Sequence, residues 1–251
     1  MSEPRASVVV ATYNRSRSLA LLLEGLAKQT VPRDDFEVVV VDDGSAEDVT
    51  PVVSRFEQAI SVTLLRQKNS GVAVARQRGV ERTSGRIIVF LDDDMRVRED
   101  FVAQHLAIHE GHDDRVVLGR LLAPAGEQIS LFERSHAYRL DRLAELWTAP
   151  GSVSGHNVYT GNMSLPRELF FRAGGFDEAF FIIEDTELGV RLQAIGAQFF
   201  FAPLAASEHA SDHMSLDAWL RRAVKEGRGW VRLMRVPSPA AGRMTETFIC
   251  S

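Results

Sequence analysis

Cysteine is almost absent: Cys250 stands alone among 251 residues, so no disulfide framework and no multi-cysteine metal site can form within one chain. No apolar run approaches the roughly 18 residues needed to cross a bilayer. Met1-Ser2-Glu3-Pro4-Arg5 lacks the hydrophobic segment of a signal peptide. These absences predict a cytoplasmic protein. Neither G-x-G-x-x-G after a strand pattern nor G-x-x-x-x-G-K-[ST] occurs, and G-x-S-x-G is missing too. Dinucleotide, P-loop and serine hydrolase readings thereby lose their main support. An excess of positive charge is also lacking, since the formal net charge is −5, which argues against a dedicated nucleic-acid binder. There is no internal repeat and no low-complexity block.

What remains is 45% hydrophobic and 25% charged, the balance of a globular protein, at a length that suits one α/β domain or a domain of two unequal halves. The first half alternates. Apolar, β-branched runs at Ser7 to Ala11, Phe36 to Val41, Val62 to Leu65 and Arg86 to Leu91 read as strands. Helical patterns at Arg17 to Gln29, Asp48 to Ala59 and Ser70 to Arg82 lie between them, the first with Leu19, Leu22, Leu23 and Leu26 on one face. This rhythm predicts a doubly wound, mainly parallel, Rossmann-like sheet. The second half is less regular. Helices are expected near Phe101 to His109, 127 to 147, Glu184 to Ile195 and Leu216 to Met234, and strands near Val116 to Leu122 and Gln198 to Ala202. The division expected is a single domain at 1–236, with a regular half at about 6–115 and a less regular half at about 116–236, then a tail at 237–251.

Two strands end in acid. Val38 to Val41 runs into Asp42-Asp43, and Ile87 to Leu91 runs into Asp92-Asp93-Asp94. In open α/β sheets the ligand crevice lies outside the carboxyl ends of the strands, so both clusters reach one edge. Carboxylates that close repel unless a cation joins them. A divalent metal, Mg2+ or Mn2+, carrying a diphosphate is the favoured partner. At the end of the first strand, Thr12 and Tyr13 are placed to line a base pocket, while Asn14 or Ser16 serves equally as a helix cap. In Asn69-Ser70-Gly71-Val72-Ala73-Val74-Ala75-Arg76, small residues let a helix approach the sheet closely. Arg76 is then either a diphosphate contact or a surface arginine on a tightly packed helix.

Val9-Val10-Ala11-Thr12-Tyr13-Asn14-Arg15, Val40-Val41-Asp42-Asp43-Gly44-Ser45, Asn69-x-Gly71-x-Ala73-x-Ala75-Arg76 and Phe90-Leu91-Asp92-Asp93-Asp94 occur in this order. Gly161-Asn162-Met163-Ser164, Gly174-Gly175-Phe176-Asp177-Glu178 and Glu184-Asp185-x-Glu187-Leu188-Gly189-x-Arg191-Leu192 follow. Each alone is weak. In sequence, over roughly residues 6 to 230, they resemble glycosyltransferase family 2, the inverting nucleotide-sugar transferases of GT-A fold.

The resemblance implies a metal-dependent transfer of one sugar from a nucleotide-diphosphate sugar, with a UDP-sugar favoured. It places Thr12, Tyr13, Arg15, Asp42, Asp43, Asn69, Gly71, Arg76, Asp92 and Asp93 on the donor side, with Asp42 and Asp43 at the uracil or ribose. Asp94 becomes the first metal ligand of a D-x-D motif, and Asp92 a ribose or metal contact. His209 completes the metal site, with His213 as the alternative. Asp185 is the implied catalytic base, with Glu184 as the alternative, and Gly161 and Asn162 fall on the sugar or acceptor side. The chemistry is consistent, because a metal neutralises the leaving diphosphate and a positioned carboxylate deprotonates the attacking hydroxyl. First-turn acids such as Glu184 and Asp185 are also stabilised by a helix dipole alone, which is the competing explanation.

Other features stay open. His105, His109, His112, His136 and His156 show no ligand spacing and read as surface or packing residues. His156 alone lies near a Gly/Ser-rich loop suited to a sugar. Phe180-Phe181-Ile182-Ile183 is an apolar acceptor wall or core. The last helix sets Arg221, Arg222, Lys225, Arg228, Arg232 and Arg235 against Trp219, Leu220, Ala223, Val224, Trp230, Val231 and Met234. That pattern fits docking through 216–235 on an anionic membrane, or an amphipathic helix packed on the domain with a solvated basic face. Gly227 and Gly229 weaken a long helix in either case. The Q-x-x-R-W motif of the family's processive synthases is missing, so transfer of one sugar at a time is expected. The acceptor is a glycan, a lipid-linked carrier, a natural product or a protein. Two other classes are a nucleotide-sugar-binding protein without transfer activity and a metal-dependent nucleotidyl or phosphoryl transferase.

Overall fold

The apolar runs pair with one another because each is buried on both faces. β1 (Ala6–Thr12), β2 (Phe36–Asp42), β3 (Ser61–Arg66) and β4 (Ile87–Leu91) lie side by side in the order β3-β2-β1-β4, every pair parallel. The computed structural model describes residues 3–123, 131–148, 151–209 and 216–235. The expected tail at 237–251, with Cys250, and the alternative ligand His213 lie outside the described residues.

Side chains alternate across the sheet, and the core follows them. On one face Val8, Val10, Val38, Val40, Ile87, Val89 and Leu91 meet the leucines of α1 (Ser16–Leu26) and the apolar side of α4 (Phe101–Ile108). On the other, Val9, Ile88 and Phe90 meet α3 (Val72–Arg82), α6 (Arg167–Arg172) and α7 (Glu184–Ala194). Phe90 anchors that second layer with Phe170 and Phe176, ring centroids 5.7 and 5.3 Å away. The small-residue helix α3 does press on the sheet. A Cβ at Gly79 would lie 2.5 Å from Val9 Cγ1 and 3.2 Å from Val41 Cγ2.

The second half extends the same sheet with mixed polarity. β5 (Met95–Val97), β6 (Arg115–Leu122), β7 (Asn162–Pro166) and β8 (Gln198–His209) complete the order β3-β2-β1-β4-β7-β6-β8-β5. β7 lies antiparallel between β4 and β6, and β5 antiparallel on β8, so the sheet is mainly parallel as expected, through the first four strands and through β6 with β8. β5, β7 and α6 are additional to the expected elements. The helix expected over Asp48 to Ala59 shrinks to α2 (Thr50–Ser54), in which only Val53 is buried. β8 continues past Ala202 to His209, with a register irregularity against β6 between Gly119 and Leu121. α5 is Leu131–Leu146, and α8 (Leu216–Leu233) runs unbroken through Gly227 and Gly229. No helix among the described residues is long and apolar enough to cross a membrane.

Candidate active site

The parallel register places the ends of β1, β2 and β4 together. Thr12 is level with Asp42, and its hydroxyl donates to Asp93 Oδ2 at 2.7 Å. Arg15, just beyond β1, reaches Asp94 Oδ2 at 2.5 Å and Asp93 Oδ1 at 3.3 Å. Burial pushes the Asp93 carboxyl up to about 6, against the Thr12 hydrogen bond and the Arg15 charge. Burial raises Asp94 as well, opposed by His209 and Arg15. Tyr13 is half exposed at the same edge. Asn14 is not a side-chain cap of α1. Its Oδ1 accepts from Ala46 N at 2.8 Å and its N–H donates to Ser45 Oγ at 2.8 Å, tying the β1 end to the β2 end.

The acidic pair after β2 works inward. Asp42 is fully buried, accepting from Ser45 N at 2.9 Å and lying 3.2 Å from Arg66 Nε. A direct ligand contact through its side chain is therefore closed in this conformation. Asp43 accepts from Gln67 Nε2, Ser70 N and Gly71 N at 2.7, 2.8 and 2.9 Å. It thus shapes the loop carrying Asn69 and Gly71, where Gly71 enters α3 with φ +97°, a conformation that favours glycine. Both acids hold turns, at the end of β2 and before α3.

Arg76 joins the two acidic clusters. It is 5% exposed, and its Nη2 lies 2.6 Å from Asp92 Oδ1 while its Nη1 lies 2.7 Å from Glu184 Oε1. It is neither a surface arginine nor, in this state, open to a diphosphate. Asp92 is backed by Gly161, where a Cβ would come within 3.0 Å of Asp92 Oδ2. Asp185 follows Glu184 in the first turn of α7 and accepts from Thr186 N at 2.7 Å. Burial, then the Glu184 carboxylate, pushes Asp185 up to about 7, with Arg76 opposing. Ile183, directly before the pair, sits at φ +60°, a strained setting for a β-branched residue. Such strain persists where the surroundings enforce it, and it aims the first turn of α7 at Arg76. The third acid of that turn, Glu187, pairs with Arg191 at 2.5 Å and is structural.

The antiparallel pairing of β5 with β8 sets Met95 opposite His209. His209 Nε2 consequently lies 3.7 Å from Asp94 Oδ1, a buried carboxylate oxygen with no hydrogen-bond partner. That orphaned oxygen beside an imidazole fits a divalent cation. Among the described residues no three His, Cys, Asp or Glu side chains could hold an ion by themselves. The pair therefore suits a metal that takes its remaining ligands from phosphate oxygens and water, the usual arrangement for Mg2+ with nucleotide substrates.

Asn162 is corrected by the structure. Its Nδ2 donates to Ala205 O and Ser207 Oγ, both at 2.9 Å, and its Oδ1 accepts from His105 Nε2 at 2.8 Å, so a fully buried carboxamide has nothing left for a sugar. The partners fix the tautomers. His105 Nδ1 accepts from Ser164 Oγ, which in turn accepts from His109 Nε2, both at 2.8 Å. Burial lowers His105 to about 4 and His109 to about 3, keeping both neutral. The expectation that these histidines are packing residues holds, and their network braces the strands beneath the acidic turn.

α8 buries little of either face. Its Leu216, Trp219, Leu220, Val224, Val231 and Met234 are exposed, and so are Arg221, Arg222, Lys225, Arg228 and Arg232. The basic face is solvated as expected, while most of the apolar face is left uncovered rather than packed on the domain. Only Gly229 and Leu233 are buried, against Ile182, Ile183 and Phe180. Helical periodicity reveals two faces but not how much of either is covered.

The sequence model of the family described as Glycosyl transferase family 2 matches residues 7–176. Validoxylamine A glucosyltransferase of Streptomyces hygroscopicus subsp. jinggangensis is 36% identical over 220 residues, covering 77% of this chain and 52% of that protein. An uncharacterized glycosyltransferase of Bacillus subtilis is 33% identical over 267 residues, covering 85% and 67%. The chain spans about half the length of the first curated relatives it matches. Among solved structures, a mannosyltransferase from Pyrobaculum calidifontis in complex with GDP-Man and Mn2+ superposes with a TM-score of 0.74 at 22% identity, over 95% of this chain and 67% of that one. S. aureus TarS 1-349 gives 0.70 at 19%, over 92% and 63%, and also has a structure in complex with UDP-GlcNAc. The fold is the GT-A fold that the motifs implied.

Proposed function

Because the chain belongs to glycosyl transferase family 2, we propose that it moves one sugar from a nucleotide-diphosphate sugar to an acceptor hydroxyl, by a single displacement that inverts the anomeric centre. The observation that carries this reading is the Arg76 bridge. One buried guanidinium holds Asp92, at the donor edge, and Glu184, beside the proposed base, so the two halves of a displacement reaction share one site.

In this reading the donor lies over the ends of β1, β2 and β4. Thr12, Tyr13 and Arg15 border it directly, while Asp42 and Asp43 hold the turns around it. Asp94 and His209 hold the metal, which supplies charge neutralisation for the leaving diphosphate. Asp185 receives the acceptor proton. Its carboxyl, pushed up toward 7 by burial and by the Glu184 carboxylate beside it, is well matched to that task, since a more basic carboxylate takes a proton more readily. Glu184, pinned by Arg76, orients the pair. A UDP-sugar is the favoured donor, supported by the UDP-sugar complex of a fold neighbour, although another neighbour carries GDP-Man.

Calorimetry with UDP and Mn2+ tests the division of roles. Asp94→Asn is expected to lose metal-dependent UDP binding. Asp185→Asn is expected to bind UDP as the parent does and to transfer nothing. Undiminished binding in Asp94→Asn overturns the metal assignment, and transfer by Asp185→Asn overturns the base.

A further inference from the structure

The apolar face of α8 is left open, and its cations decide what fits it. Leu216, Leu220, Val224, Val231 and Met234 recur at intervals of three, four or seven residues, so they form one stripe along a helix about 27 Å long. With Trp219 beside them, these side chains are 42% to 66% exposed. α8 is held to the domain by its flank instead. Gly229 and Leu233 pack on the segment of Phe180, Ile182 and Ile183, where Trp230 is partly buried. Single exposed apolar residues are ordinary, whereas a continuous stripe of large ones marks a contact surface.

The charge pattern selects the partner. Residues 216–235 hold six cations against two acids, Asp217 and Glu226, in a chain whose net charge is −5. Arg222 pairs with Glu226 at 2.8 Å, and among the described residues no carboxylate lies at ion-pair distance from Arg221, Lys225, Arg228 or Arg232. Positive charge is therefore gathered beside the stripe rather than balanced in place. Arg228 stands four residues after Val224, and Arg235 four after Val231, so both border the stripe. An anionic membrane answers both features. Its acyl boundary takes the apolar side chains, and the cations reach the headgroups over their own apolar stems. Trp219 adds an indole, a side chain that favours the boundary between the two. A second copy of the chain fits poorly, because a symmetric contact through this stripe sets Arg228 and Arg235 against an equally cationic rim. α8 is not apolar enough to cross the bilayer, so it lies along the surface.

We propose that α8 lies in the interface of an anionic membrane, with the stripe from Leu216 to Met234 in the acyl boundary and the cations on the headgroups. The inference rests on the helix alone and does not require the transferase reading. Its consequence is one of position. Because Gly229 and Leu233 pack on the segment that leads into Glu184 and Asp185, docking carries that segment to within one helix diameter, about 10 Å, of the lipid.

The test uses the full chain and co-sedimentation with phosphatidylcholine vesicles, made with and without phosphatidylglycerol. The parent is expected to sediment with the anionic vesicles and to be released as salt is raised. Brominated phosphatidylcholine in those vesicles is expected to quench its tryptophan emission, and the quenching to fall in Trp219→Phe. Leu220→Gln/Val224→Gln removes two side chains of the stripe at exposed positions where glutamine keeps helix propensity. It is expected to weaken vesicle binding roughly 100-fold. Arg228→Gln/Arg235→Gln is expected to weaken it about 25-fold, near fivefold for each cation, and to lessen the salt dependence. A parent that ignores anionic vesicles overturns the proposal, as does undiminished binding by Leu220→Gln/Val224→Gln. Binding indifferent to lipid charge also overturns it, since the cations would then have no part. A concentration-dependent dimer that the same variant abolishes, in a parent that ignores vesicles, assigns the stripe to a second copy instead. The parent's own response to lipid charge and salt decides the matter whether or not a variant folds.

Discussion

Arg76→Ala is the perturbation that tests the centre of the site. The substitution removes a guanidinium that is 5% exposed and that donates to Asp92 and Glu184 at 2.6 and 2.7 Å. The two abandoned acids fare differently. The Asp92 side chain is 36% exposed and can turn to water, whereas the Glu184 side chain is 8% exposed and cannot. Breaking a buried pair by removing one partner costs about 3–5 kcal/mol. With only one acid stranded, the lower end applies, about 3 kcal/mol. Arg76→Lys keeps the charge but not the planar fork that reaches two acids in different directions, and is expected to cost about 1–2 kcal/mol. Urea unfolding without donor measures both, as a fall in midpoint at constant slope. The double variant Arg76→Met/Glu184→Gln strands no charge and should recover much of the loss. A cost below about 1 kcal/mol for Arg76→Ala, or a double variant no better than the single, refutes the bridge as the element that holds the two clusters together.

Asp185 sets the pH response of activity: kcat/KM should rise with pH through about 7 as the base ionises, and a flat profile between pH 6 and 8 would contradict its role. A carboxyl whose folded pKa is raised holds its proton more tightly in the folded chain, so its stabilising share is complete below the unfolded value and fades as pH rises through about 7. Asp185→Asn should therefore unfold at higher urea than the parent at pH 8 and at nearly the same urea at pH 3.5. The histidines act in the opposite sense. With His105 and His109 held neutral in the fold, the unfolded chain binds more protons below the ordinary value of 6.5, and stability should fall as pH drops from 6.5 toward 4. His105→Gln should flatten that slope in urea midpoints taken across the range, and an unchanged slope counts against it. Gly79→Ala should cost about 1–3 kcal/mol by overpacking α3 on Val9 and Val41, read from its thermal midpoint.

The parts of the fold legible in the sequence are those where burial on both faces writes a continuous apolar run. Val38 to Val41 and Ile87 to Leu91 are such runs, and their acidic ends lie where the strand rule puts them. Leu19, Leu22, Leu23 and Leu26 reveal α1 for the same reason, since all four are fully buried on one stripe. β5 has only Met95–Val97, and β7 is Asn162–Pro166, with polar and proline residues whose hydrogen bonds come from distant strands. Neither shows a periodicity long enough to read. The strand-end carboxylates were legible as a cluster but not as individuals. Asp42 and Asp43 hold turns, and only pairing in space separates such an acid from one that meets a ligand. Arg76 was legible as a candidate, yet its partner Glu184 lies far along the chain, beyond any local pattern.

The placement of β7 has a consequence for how the chain must be made. β4 is flanked by β1, completed early in synthesis, and by β7, which begins at Asn162. Until the ribosome passes that point, one edge of β4 has no partner, and its segment Ile87–Leu91 is a bare, wholly apolar template for pairing with another nascent chain. Residues 6–115 expose this edge when separated from the rest and are thus expected to aggregate as an isolated fragment. A chain long enough to supply β7 is expected to relieve this, and the imidazole facing Asp94 arrives later still, at the end of β8.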